Sequence, residues 1–110
     1  MQLIKFLAVL FISLISVQAT NIEESELTLS GNLQEATVEF TITNYGELAK
    51  NVTYIIIQDQ VLVLEQGGTS IPSGGTVTIH VPKQSSGDYE YTLEVTSDVN
   101  GIVDKYTVIQ

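Results

Sequence analysis

Cysteine, tryptophan and arginine are missing from this 110-residue chain, and it has two prolines and one histidine. Each absence removes a class of function. Without Cys there is no disulfide framework, no thiolate metal site and no Cys nucleophile. Four Lys stand against 13 Asp and Glu for a formal net charge of −9, so the chain has little with which to neutralise a phosphate backbone and would repel nucleic acid and anionic lipid. A domain takes about 100–200 residues, which leaves no room for a two-lobed enzyme with a cleft between domains.

The one long apolar run, Phe6 to Val17, follows Lys5 and leads into Val17-Gln18-Ala19. A positive start, an apolar middle and a small final residue are the parts of a secretory signal peptide. The run has 12 residues, short of the roughly 20 that cross a bilayer as a helix. The expectation is a signal peptide over 1–19, cleaved after Ala19, and a single domain over 20–110 that is secreted or held at the cell surface. An uncleaved short anchor is the alternative, and it is then the signal segment alone that touches a membrane. Cleavage removes Lys5 and takes the side-chain charge from −9 to −10.

Val, Ile and Thr supply 31 of the 91 residues after Ala19, a composition suited to pleated, half-buried surfaces. Periodicity is more direct evidence. Val38, Phe40 and Ile42 alternate with Thr37, Glu39, Thr41 and Thr43; Val77, Ile79 and Val81 alternate with Thr76, Thr78 and His80; Tyr89, Tyr91, Leu93 and Val95 alternate with Glu90, Thr92, Glu94 and Thr96. Apolar residues at every second position mark strands with one dry and one wet face. Turn signals separate them: Asn44-Tyr-Gly46, Gln66-Gly-Gly68, Ser73-Gly-Gly75, Ser85-Ser-Gly-Asp88 and Asn100-Gly101. Asn-Gly suits a two-residue type I′ turn, which would pair Val99 with Ile102, Val95 with Tyr106 and Leu93 with Val108, and would set Asp104 opposite Ser97.

About seven strands are expected, over 24–30, 35–44, 50–58, 60–65, 69–72, 75–82 and 88–99 with 102–109, and no window has a capped helical period. Many short strands between turns imply an all-β, antiparallel two-sheet sandwich. Its expected core is Val38, Phe40, Ile42, Val52, Tyr54, Ile56, Val77, Ile79, Tyr89, Tyr91, Leu93, Val95, Tyr106 and Val108. The run Tyr54-Ile-Ile-Ile57 is apolar on both faces of its strand, so one face needs burial or a partner.

The segments Glu35 to Gly46, Ala49-Lys-Asn-Val-Thr-Tyr54, Ile71-Pro-Ser-Gly-Gly-Thr-Val-Thr78, Gly87-Asp-Tyr-Glu-Tyr91 and Val95-Thr-Ser-Asp98 resemble the CARDB-type and related archaeal surface-layer immunoglobulin-like modules. The resemblance spans roughly residues 27 to 108 and rests on turn and core positions. It implies an immunoglobulin-like (fibronectin-III/CARDB-like) sandwich with an extracellular adhesion, spacer or filament role, and it carries over no catalytic residue. Tyr89 stands where the immunoglobulin tyrosine corner places its Tyr, and Tyr91 where those domains place a core Cys.

Candidate chemistry is sparse. His80, on an outward strand face, would need a nucleophile and an orienting carboxylate to act as a general base, and the pattern sets neither beside it. The carboxylates alternate with Thr on wet faces or lie in loops, which reads as a solvating coat. No enzymatic activity and no cofactor are expected. Asp98, Asn100 and Asp104 have oxygens at spacings that could hold Ca²⁺, but Asp98 and Asp104 point to opposite faces of the expected hairpin. Asn51-Val-Thr53 is a glycosylation sequon whose Asn51 would face solvent. The leading expectation is an exported structural or adhesion module, a filament or envelope subunit assembling by strand pairing, with Thr20 to Leu29 as a strand that could be donated. The alternative is a secreted module that binds a protein or carbohydrate through the loops around Gln66-Gly-Gly68 and Ser85 to Asp88, with Tyr45 as a stacking platform.

Overall fold

The computed structural model describes residues 24–98 and 100–110; the expected signal peptide, 1–19, lies outside them. Seven strands follow in order: β1 Leu27–Leu33, β2 Thr37–Asn44, β3 Lys50–Gln58, β4 Leu62–Ile71, β5 Thr76–Pro82, β6 Glu90–Ser97 and β7 Val103–Ile109. All neighbouring strands are antiparallel. One sheet has the order β1-β2-β5 and the other β4-β3-β6-β7. Lettered A, B, C, C′, E, F and G along the chain, the strands form ABE and C′CFG, an immunoglobulin-like sandwich in which the fourth strand joins the sheet of its hairpin partner rather than the other sheet.

The core forms where the alternation places it. Val38, Phe40, Ile42, Val52, Ile56, Ile79, Tyr91, Leu93, Val95 and Val108 are buried, with Tyr54, Val77 and Tyr89 packed partly buried against them. Tyr106 departs from expectation at 37 % exposed, because β7 is the last strand of its sheet and the opposing sheet, one strand narrower, leaves this position half uncovered. Leu27, Ile71 and Val81 complete the core. Gly31 explains how β1 closes over it: a Cβ there would lie 2.8 Å from the Phe40 ring and 2.9 Å from a Val108 methyl. A glycine inside a strand marks such a close approach.

Expected strands 60–65 and 69–72 are one strand, β4, and Gln66-Gly-Gly68 is not a turn. Gly67 pairs with Tyr54 and Gly68 with Thr53 across the ladder. A Cβ on Gly67 would sit 3.0 Å from the Tyr54 hydroxyl; the tyrosine ring lies over the glycine and takes the place of its side chain. The reversal comes earlier, at Asp59 and Gln60, both with positive φ (53° and 63°), the type I′ pattern that suits a two-residue hairpin. Glu90 holds this turn, since its N–H donates to Asp59 Oδ1 at 2.9 Å and its carbonyl accepts from Asp59 N–H at 2.8 Å. A register shift between Ile56 and Ile57 leaves Leu64 as the extra residue of a bulge.

The β6–β7 hairpin keeps the expected faces but not the expected partners. Leu93 pairs with Tyr106, Val95 with Asp104 and Thr96 with Val103, a slip of two residues, which preserves the side each chain faces. The Val99 half of the expected Val99–Ile102 pair lies outside the described residues. Ser97 N–H donates to Ile102 O at 3.0 Å and Gly101 N–H to Ser97 O at 2.9 Å, so the loop is 98–101 and Gly101 holds its closing position at φ 68°. The wider loop follows from Asp98, whose N–H donates to Asn51 O on β3 at 3.1 Å instead of extending the hairpin.

Two buried polar groups tie the ends. Asn44 is fully buried; its Nδ2 donates to Leu48 O at 2.8 Å and to Ile71 O at 3.0 Å, and its Oδ1 accepts from Gly46 N–H at 3.0 Å. The Asn-x-Gly signal is thus a side-chain knot between the sheets as well as a turn. At the other end, Tyr91 Oη accepts from Gln84 N–H at 3.0 Å and donates to Gln110 Oε1 at 2.8 Å. A strand-F tyrosine bonded to upstream backbone is the tyrosine corner, and here the residue is Tyr91, not Tyr89.

Candidate interaction surface

The outer faces of the two sheets differ in chemistry. On the three-stranded sheet the outward positions are Thr28, Ser30 and Asn32 of β1, Thr37, Glu39, Thr41 and Thr43 of β2, and Thr76, Thr78 and His80 of β5, as the register and burial pattern set them. Several of their polar groups pair with one another: Thr43 with Thr76 at 3.2 Å, Asn32 Nδ2 to Glu39 Oε1 at 3.2 Å, and His80 Nε2 with Glu39 Oε2 at 3.1 Å. The carboxylate that the sequence pattern did not set beside His80 is therefore present, because Glu39 is its direct cross-strand partner. Both belong to an exposed, Thr-covered face.

The four-stranded sheet turns aliphatic side chains outward. Val63 of β4 pairs with Ile57 of β3, Ile55 lies two residues along, and Val103 and Ile109 lie on β7. Val63, Val103 and Ile109 are 47, 47 and 64 % exposed, and Ile55 and Ile57 are half-buried. Two shallow depressions of about 370 and 380 Å³ run along this face, the first lined by Thr53, Ile55, Gln66, Glu94 and Thr96 among others, the second by Ile57, Gln60, Glu90, Thr92, Glu94, Lys105 and Thr107. Glu94 belongs to both, and Lys105 approaches it at 3.9 Å. Ile55 and Ile57 are the outward half of the run whose two apolar faces demanded cover; neighbouring side chains bury each of them in part, and the exposed aliphatics of this face are Val63, Val103 and Ile109.

Among the described residues no strand pairs with the outer edge of β4. β4 runs for ten residues with Glu65 as its sole charged side chain and neither Lys nor Pro within it. Lys, Pro and other charges are the usual protection of an exposed edge. At the head of this strand Val61 and Leu62 are 83 and 51 % exposed. Tyr54, whose ring spans the edge, has its phenol pushed up by desolvation and then by the Glu65 carboxylate to which it is hydrogen-bonded.

The other candidates do not converge. Asp98 is exposed, Asn100 Oδ1 accepts from Ile102 N–H at 3.1 Å, and Asp104 turns to the inner side opposite Val95, not Ser97, where its Oδ2 is buried without a hydrogen-bond partner. Among the described residues no group of three or more His, Asp or Glu side chains could hold a metal ion. Asn51 and Thr53 are exposed on the outer face of β3, which leaves the sequon accessible. Tyr45 is 56 % exposed; its hydroxyl donates to Glu24 at 3.4 Å, and desolvation at the turn followed by that carboxylate pushes its pKa up. Among the described residues no helix is long and apolar enough to cross a membrane.

No family model and no curated relative matches the chain. Among solved structures the chain is similar to a β-glucuronidase from glycoside hydrolase family 2, at 22 % identity, a TM-score of 0.39, and coverage of 81 % of this chain and 11 % of that one. The chain thus spans about a ninth of that enzyme's length.

Proposed function

We propose that this protein is an exported structural or adhesion module of the cell surface, and that it engages protein partners through its four-stranded sheet. The observation that carries the reading is the outward aliphatic set of half-buried Ile55 and Ile57 with Val63, 47 % exposed, beside them, against an opposite face made of Thr, Ser, Asn, Glu and His. Aliphatic side chains on a sheet's outer surface gain free energy when another protein covers them, at about 25 cal/mol per Å² of apolar area. Export is supported by the Lys5 to Ala19 segment, and the acidic composition keeps the surrounding surface solvated. The alternative of a loop-based binder loses one of its two loops, since Gln66-Gly-Gly68 lies inside β4.

The test is fractionation of the native culture into envelope, sheared filaments and medium, with wild type compared with the Ile55→Thr/Ile57→Thr double variant. Thr keeps the strand preference, so the fold is expected to stay and the variant to move from envelope or filaments into the medium. Wild-type protein found in the cytoplasm would overturn the reading.

A further inference from the structure

The four-stranded sheet has an even number of strands, every neighbour antiparallel. Its two edge strands, β4 and β7, therefore run in opposite directions. A second copy placed beside the first without inversion would bring its β4 alongside β7 as an antiparallel neighbour, and the alternation would continue across the seam. The three-stranded sheet cannot do this: β1 and β5 run the same way, and the same placement would give a parallel pair. The four-stranded sheet is also the wider by one strand, about 4.8 Å, and its β7 edge packs against β1 where Gly31 meets Val108.

The two edges differ in a way that favours this pairing over two identical edges meeting. β4 contributes Glu65 and no cation; a β4–β4 seam would gather carboxylates alone. β7 contributes Lys105, whose side chain is 63 % exposed, beside the inward-facing Asp104. Setting Ile109 beside Val63 places the outward aliphatics of both strands together, extends the Ile57–Val63 row, and brings Lys105 toward Gly68, where an added Cβ would meet nothing closer than 3.4 Å.

Resting on the reading of this sheet as the interaction surface, we infer that the partner at its edges is a second copy of the chain: β7 of one molecule pairs with β4 of the next, head to tail. Such an interface uses two different patches, so it does not close on itself, and with the twist of the sheet it generates an open helical array. One strand pair buries less than a stable dimer interface of about 800 Å² per partner. The array therefore forms at high local concentration, and because each copy carries a net charge of −9, added salt strengthens it by screening.

The chain has no cysteine, which permits a direct test on the full chain. Val63→Cys and Ile109→Cys are each made alone, and the proteins are incubated separately and mixed, with oxidised glutathione accepting the two electrons that leave each thiol pair. Directly opposed strand residues lie within about 4.5–5.5 Å at Cβ, close to disulfide reach. The mixture is expected to form a covalent dimer at least about tenfold faster than either variant alone, and a molecule carrying both substitutions to form a ladder. Leu33→Cys, on the edge of the other sheet, serves as the unreactive control. Light scattering on the cysteine-free chain gives a register-independent readout: its mass is expected to rise with concentration and with salt. Fast self-dimerisation of Val63→Cys alone would show identical edges meeting and overturn the head-to-tail array. A constant monomer mass in high salt would overturn self-assembly altogether, and envelope retention that still depends on Ile55 and Ile57 would then leave the reading of the sheet as an interaction surface standing.

Discussion

The sheets β1-β2-β5 and β4-β3-β6-β7 enclose one core, yet their outer faces differ in how much aliphatic surface they carry. The first pairs its polar groups internally, as with Glu39 between Asn32 and His80. The second also pairs Thr92 with Thr107 and Gln60 with Glu90, but adds half-buried Ile55 and Ile57 and exposed Val63 beside a ten-residue edge. Both inner faces obey the same period-two rule, so packing did not require this difference. A sheet in a sandwich needs one apolar face; outward aliphatics on a second face are an added feature that the core did not require.

The comparison can be broken most severely at Asn44, which belongs to β2 yet donates to Ile71 O at the end of β4. Asn44→Ala leaves buried carbonyls unpaired at about 1–3 kcal/mol each, and a loss of roughly 3 kcal/mol in urea unfolding is expected. Unchanged stability would mean that the sheets are not joined there. Next, Tyr91→Phe removes the hydroxyl that meets Gln84 and Gln110. About 1 kcal/mol is expected, with Gln110 released from its bond, measurable by amide exchange on β7.

A change of the opposite sign sharpens the picture of the β7 edge. Asp104→Val replaces a carboxylate whose Oδ2 is buried and unpartnered with a β-branched side chain opposite Val95. The thermal midpoint should rise, by an amount corresponding to about 1 kcal/mol; a fall would show that Asp104 has a bonding role. The smallest stability effect is expected at Thr41→Ile, which gives the polar face an aliphatic like those opposite. Stability should move by no more than about 0.5 kcal/mol, while binding of a hydrophobic dye increases.

The legibility of the fold varied with how local its cause is. Alternation along β2, β5 and β6 could be read directly, because burial imposes a period of two on neighbouring residues. β4 could not, because Gly67 looks like a turn residue until Tyr54, thirteen positions away, is seen to occupy its place. The hairpin register failed for a similar reason, since the bond from Asp98 N–H to Asn51 O joins positions remote in the chain. For the candidate site, the apolar demand of Tyr54 to Ile57 was legible, but not the edge beside it.

The amino-acid sequence by itself determined that the chain is all-β, free of disulfides and acidic, which residues alternate inward, and that β3 is apolar on both sides; these depend on composition and on the strand's own period. Which sheet each strand joins, that Tyr91 rather than Tyr89 forms the corner, and that the doubly apolar strand lies in the middle of a four-stranded sheet were decided by the tertiary structure. Edges and outer faces exist only after strands from distant parts of the chain have paired, and pairing partners are set by packing across the core rather than by any local run of residues.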